Sequence, residues 1–119
     1  MRAYIPARPT TYRGIKMRSR LEARFAQELD EGHFDWVYEP RAFAGLAGQY
    51  LPDFMVHADM YGGAAYFEVK PTIDHAVGVL GRVQIIRESI PDALLIVIVP
   101  GTGAFCLPRG HDKWRWFAT

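Results

Sequence analysis

Cysteine is almost missing from this chain. Cys106 is the single one, which excludes an internal disulfide and any cysteine-cluster metal site. Metal chemistry, if the protein has any, must use oxygen or imidazole ligands. Long apolar runs are missing too. The longest uncharged one, Ala93 to Val99, is less than half of a membrane span, and Met1 to Thr10 carries two arginines and two prolines in place of an apolar leader. No membrane partner is expected, and the chain reads as soluble and intracellular. There is no internal repeat, no low-complexity stretch and no linker that would separate domains. Charged residues make up only 23% of the sequence, but half of it is hydrophobic and 13% aromatic, so a core can form and general disorder is excluded. At 119 residues there is room for one such core.

The net charge of +1 conceals a strong segregation. Residues 1–24 hold seven basic groups against the single acid Glu22, whereas residues 25–108 hold four basic groups against eleven acids. The tail then returns Arg109, Lys113 and Arg115 against Asp112. A basic arm on a domain with an acidic centre suits a polyanion binder whose middle collects carboxylates around a cation. A terminus that merely solubilises the chain accounts for the same charges.

Local patterns order the elements. Pro6 and Pro9 with weak periodicity predict an extended or partly disordered arm over residues 1–17. Ser19-Arg20-Leu21-Glu22 has the form of a capping box, and Leu21, Phe25 and Leu29 recur every fourth residue, so a helix is expected from Ser19 to a stop at Gly32. A short strand, Trp36 to Glu39, is closed by Pro40 and followed by a Gly- and Ala-rich connection from Ala42 to Gly48. Asp53 to Ala58 and Ala64 to Lys70 form a β-hairpin about Tyr61-Gly62-Gly63, ended by Pro71. Residues 74–90 read as one amphipathic helix with Asp74 as cap and Val79, Val83, Ile86 and Ile90 on one stripe. Leu94 to Val99, apolar on both faces, is a central strand. Residues 104–108 add a further strand, and Trp114, Trp116 and Phe117 are expected to fold back as a hydrophobic flap. Helix, three strands, helix, strand is the order of an α/β sandwich with a central mixed sheet flanked by helices.

The hairpin carries the chemistry. With its turn centred anywhere between residues 60 and 62, antiparallel pairing sets Asp53 beside Glu68 and Lys70. Glu68 and Lys70 project from one face, and Phe67 and Val69 from the other. Two carboxylates that close repel unless one is protonated or a cation sits between them, and a hard divalent ion resolves the conflict.

Pro52-Asp53, fourteen residues, then Glu68-Val69-Lys70 resembles the signature of the PD-(D/E)XK, or restriction-endonuclease-like, nucleases. Upstream, Arg18-Ser19-Arg20-Leu21-Glu22 is similar to the first-helix motif of small phage and bacterial members and of restriction-like transposase subunits. Tyr38-Glu39-Pro40 and Tyr50-Leu51-Pro52-Asp53-Phe54 also resemble those members, so that the likeness spans residues 12 to 100. It implies an αβββαβ core over residues 18–100 of a single nuclease domain, with residues 1–17 as a basic arm and 101–119 as a C-terminal extension.

The resemblance further implies catalytic roles for Glu22, Asp53, Glu68 and Lys70. Asp53, Glu68 and the Val69 backbone carbonyl would be metal ligands, with Glu22 binding directly or through water, and Lys70 would orient and help deprotonate the attacking water. The implied cofactor is Mg²⁺, with Mn²⁺ as a substitute, and the products a 5′-phosphate and a 3′-hydroxyl. The implied partner is DNA, held through Arg18, Arg20, Arg24 and Gln84, in the cytoplasm of a bacterial or phage-infected cell. Cutting both strands needs two sites, which points to a homodimer. A subunit of a transposition, recombination, packaging or junction-resolving complex, or a binding module that does not cleave, is the rival expectation.

Plainer roles fit several of these residues. Glu22 sits at the third position after the cap, where a glutamate is often structural. Asp53 after Pro52 suits a turn, and Glu68 with Lys70 makes an ordinary ion pair. Glu39 is a further candidate outer-shell acid. His33, His57, His75 and His111 show no ligand spacing, and Trp114 and Trp116 suit packing as well as base stacking.

Overall fold

A computed structural model describes residues 8–46, 48–58 and 63–119. The fold is a mixed α/β one, built on a central six-stranded sheet with helices on both faces. The chain opens with a small hairpin, β1 (Thr10–Tyr12) and β2 (Ile15–Met17), where an extended arm was expected. Its two-residue turn is made by Arg13 and Gly14, both at positive φ (50° and 79°), the geometry that matches the twist of paired strands. The rest of the charged arm, including Arg2, lies outside the described residues; Arg8 is exposed.

Helix α1 (Arg20–Glu31) begins and ends where its sequence signals stand: the Ser19 side chain accepts from the Glu22 N–H at 3.1 Å, and Gly32 closes the last turn. Strand β3 (Trp36–Tyr38) follows. The Gly- and Ala-rich stretch expected to be a plain connection is instead a second hairpin, β4 (Phe43–Gly45) and β5 (Gly48–Tyr50). Alternation of buried Phe43 and Tyr50 with small or polar neighbours makes it a half-buried pair rather than a loop.

Strands β6 (Phe54–Ala58) and β7 (Gly63–Val69) form the main hairpin, with Tyr61-Gly62 outside the described residues. The single helix expected over residues 74–90 is broken into α2 (Ile73–Val77) and α3 (Leu80–Ser89), and Thr72, not Asp74, caps the first piece. Gly78, flanked by two β-branched valines, lowers helix propensity at the break. The break also sets α3 to bury Val83, Ile85 and Ile86 together. Ile85 lies off the expected stripe and is covered by the second hairpin, where a Cβ on Gly45 would stand only 3.0 Å from an Ile85 methyl. Strands β8 (Leu94–Val99), β9 (Gly103–Leu107) and β10 (Arg115–Ala118) complete the chain.

The sheet order is β10-β9-β8-β7-β6-β3, antiparallel throughout except for the parallel pair β7 and β8, which α2 and α3 connect. Strand β8 is central, as its two apolar faces require. Residues 115–118 form an edge strand in place of the expected flap: Trp116 and Phe117 are exposed, and only Trp114 packs on the core. Arg87 of α3 ties this end down by donating to the carbonyls of Ala93, Leu107, Pro108 and His111.

One face of the sheet buries Tyr66, Leu95, Val97 and Val99 with Val83 and Ile86. The other buries Phe54, Val56 and Val69 with Phe25, Leu29 and Met17. Phe54 is fully buried and meets Phe25, Trp36 and Tyr38 edge-on at 5.2, 5.7 and 5.3 Å. Burying such a ring contributes roughly 1.5–3 kcal/mol and each aromatic contact about 0.5–1.5 more. That anchor fixes the residue before it, Asp53. Among the described residues, no helix is long and apolar enough to cross a membrane.

Candidate functional site

Phe54 is paired with Phe67, so one step further along the same register puts Asp53 opposite Glu68, within the range that the hairpin arithmetic allows. The Asp53 N–H donates to Glu68 Oε2 at 3.3 Å, and the Val69 N–H donates to Asp53 Oδ2 at 2.9 Å. Both residues are buried, Asp53 at 2% exposure and Glu68 at 5%, where carboxylates are rarely found without compensation. Lys70, just past the end of β7, holds its Nζ 3.0 Å from Glu68 Oε1. The structure thus brings Asp53, Glu68 and Lys70 into one cluster at one end of the sheet.

Burial keeps Asp53 from ionising. Loss of hydration first, and the Glu68 charge second, push its carboxyl up to about 8, against the pull of the Val69 N–H and of Lys70. The conflict between the neighbouring carboxylates therefore raises the proton affinity of Asp53. Tyr50, at the end of the second hairpin, donates its hydroxyl to Glu68 Oε2. Burial and the adjacent Glu68 charge raise its pKa and keep that hydroxyl a donor.

Arg18, expected to face nucleic acid, stays exposed but sets one end of its guanidinium against the acidic end of the sheet. Its Nη2 lies 3.1 Å from Glu39 Oε2, 3.2 Å from Asp53 Oδ1 and 3.9 Å from Glu22 Oε2. Burial works against its charge, but the Tyr38 hydroxyl and the Glu22, Glu39 and Asp53 carboxylates outweigh it and raise the guanidinium pKa. The reason is proximity: the residue lies between β2 and α1, directly beside the acidic end of the sheet.

Glu22 serves two partners at once. Its N–H is capped by Ser19, while its Oε1 accepts from the Tyr38 hydroxyl at 3.2 Å and from Ser19 Oγ at 3.4 Å. Glu22 is thereby both a capping residue and a member of the carboxylate group that meets Arg18. Glu39 has a left-handed backbone, φ 47°, uncommon outside glycine, and its N–H donates to the Asp53 carbonyl at 2.8 Å. This strained turn aims its carboxylate at Arg18.

The other candidates are placed elsewhere. Arg20 and Arg24 are exposed and share a side of α1, two residues or about 200° from Glu22 in each direction, so they face away from the cluster. Gln84 is half-buried on α3 and, among the described residues, makes no side-chain hydrogen bond. His33, His57, His75 and His111 are all exposed.

Tyr50, Tyr38 and the acidic contacts of Arg18 were not foreseen as parts of a site. The tyrosines stand in Tyr50-Leu51-Pro52-Asp53 and Tyr38-Glu39-Pro40, but only the fold shows that their hydroxyls reach Glu68 and Glu22.

Asp53, Glu68 and the Val69 carbonyl, which points to the same strand edge as the Val69 N–H, are the oxygen donors that a hard divalent cation takes. Among the described residues no group of three or more His, Cys, Asp or Glu side chains is arranged to hold a metal ion. The next two acids, Glu22 and Glu39, are drawn to Arg18. Compared with protein-family models, with curated proteins and with solved structures, the chain matches none.

Proposed function

We propose that this protein is a metal-dependent DNA endonuclease that hydrolyses phosphodiester bonds through a PD-(D/E)XK site. The observation that carries the reading is the buried Asp53–Glu68 pair with Lys70 Nζ on Glu68. A buried acid pair of this kind is costly without a compensating ion or proton, and its donors are those of Mg²⁺. The element order supports the reading: α1, then the antiparallel β3, β6 and β7, then the helical crossover to β8, correspond to an αβββαβ core. The second hairpin is then an insertion, and β9 and β10 an extension.

In this reading Asp53, Glu68 and the Val69 carbonyl would hold Mg²⁺, with Glu22 as a further acid ligand. The ion supplies charge neutralisation at the scissile phosphate and acidifies water. The chain's own residues do the rest by position. Lys70, anchored by Glu68, directs its ammonium to the attacking water or a phosphate oxygen. Tyr50 and the Val69 N–H fix the two carboxylates, so little reorganisation accompanies the reaction. The water oxygen bonds to phosphorus, the bond from phosphorus to the 3′-oxygen breaks, and that oxygen takes a proton. The exposed Arg20 and Arg24 contact backbone phosphates, which adds affinity without sequence information.

One observation favours a second reading. Arg18 already supplies a positive charge to three carboxylates, as it would in a nucleic-acid-binding module that keeps the fold without cleaving. Linear, supercoiled, branched and single-stranded DNA, each incubated with Mg²⁺, Mn²⁺ or EDTA, separates the two. Cleavage that needs the ion and falls at least about 100-fold in Lys70→Ala supports the nuclease. Binding without cleavage of any substrate overturns it.

A further inference from the structure

Three acidic side chains from three separate parts of the chain converge on one atom. Glu22 comes from α1, Glu39 from the turn after β3 and Asp53 from the residue before β6, and all lie within 4 Å of Arg18 Nη2. Among the described residues these acids form no group arranged to hold a metal ion by themselves, and a tethered guanidinium meets their charge instead. We propose that Arg18 is a built-in counter-ion that closes the metal-free site, and that the divalent ion and a substrate phosphate act together to displace it.

This inference rests on the metal-dependent reading above. The two cations compete for the same carboxylate. A Mg²⁺ ligand oxygen lies about 2.0–2.1 Å from its ion, whereas Asp53 Oδ1 already has a guanidinium nitrogen at 3.2 Å. Two positive centres on one oxygen repel each other. Arg18 is the mobile partner: its side chain is 61% exposed, against 3% for Asp53 and 6% for Glu22. It leaves by rotating about its own side-chain bonds, with no change in the sheet.

Once out, the guanidinium is a bidentate donor suited to a phosphate. Metal and DNA then favour the same outward state, so each raises affinity for the other by the same factor. The arrangement also explains why no third acid joins Asp53 and Glu68: Glu22 and Glu39 are occupied by Arg18.

The test is calorimetric titration of Mn²⁺ into the DNA-free protein, which requires no cleavage. Arg18→Ala is expected to bind Mn²⁺ about tenfold more tightly than wild type, the sum of a few weak ion pairs no longer competing. Glu39→Gln is the second variant, at a partly exposed position where folding is little at risk. It keeps the arginine but loosens its hold, and is expected to bind Mn²⁺ several-fold more tightly. A ligand role for Glu39 gives the opposite sign. Unchanged or weaker binding in both variants, with wild type binding normally, overturns the counter-ion and leaves the metal site standing. No Mn²⁺ binding by any of the three proteins overturns both.

Discussion

The Tyr50 hydroxyl, carried by the second hairpin outside the six-stranded sheet, donates to Glu68 Oε2 inside the carboxylate cluster. Glu68 also receives Lys70 Nζ and the Asp53 N–H, so a buried acid is held by three donors from three places in the chain. Removing one donor from a buried carboxylate exposes the cost of desolvating it. Tyr50→Phe, which keeps the ring and its packing, is expected to destabilise the metal-free protein by about 1–3 kcal/mol in urea unfolding. Unchanged stability would mean that the contact contributes nothing.

The proton on Asp53 makes stability depend on pH. Its carboxyl stands at about 8 in the folded protein against 3.8 for a free side chain, so between those values the folded protein holds a proton that the unfolded chain has released. The resulting stabilisation is fully present below about pH 4 and is lost as pH rises through about 8, at no more than about 1.4 kcal/mol per pH unit. Melting temperature in EDTA should fall from pH 5 to pH 8. Asp53→Asn should flatten that profile and be the more stable protein at pH 8. A wild-type melting temperature that rises over this range would refute the assignment.

Glu22 separates its two contacts through one substitution. Glu22→Gln keeps the Ser19 cap, which uses the backbone N–H, but removes the negative charge facing Arg18. Stability is expected to change by less than about 1 kcal/mol, while Mg²⁺-dependent cleavage falls at least about tenfold. A fully active Glu22→Gln restricts the residue to capping.

The basic arm is expected to contribute affinity without chemistry. Because β1 begins at Thr10, removing residues 1–9 takes away Arg2 and Arg8 and leaves the first hairpin whole. Each lost phosphate contact lowers the slope of log affinity against log salt by about 0.9, so the slope should drop by up to about 2. Cleavage at saturating DNA should be kept. Anisotropy titrations in a Lys70→Ala background measure the slope, and an unchanged value assigns the arm's charge to another role.

Local signals determined much of this molecule. The cap at Ser19, the stop at Gly32, the two-faced apolar run of β8 and the register that sets Asp53 against Glu68 were all legible. Each depends on neighbours in sequence or on one short hairpin, where the periods of 3.6 and 2 leave little choice. The break at Gly78, the second hairpin and the edge strand β10 were not legible, because in each the surface available for burial decided against local propensity. Ile85 is buried only because β4 and β5 cover it, and short weak strands form only against a neighbour.

The deepest gap concerns Arg18. Sequence alone marked it as one of seven basic groups in the first 24 residues, free to face a polyanion. Its partner Asp53 is 35 residues away, and although Glu22 is its i+4 neighbour, Glu39 and Asp53 reach it only through the folded sheet. A long charged side chain has no periodicity that states its direction. The field of whichever charges surround its tip sets that direction, and that field exists only once the tertiary structure has formed.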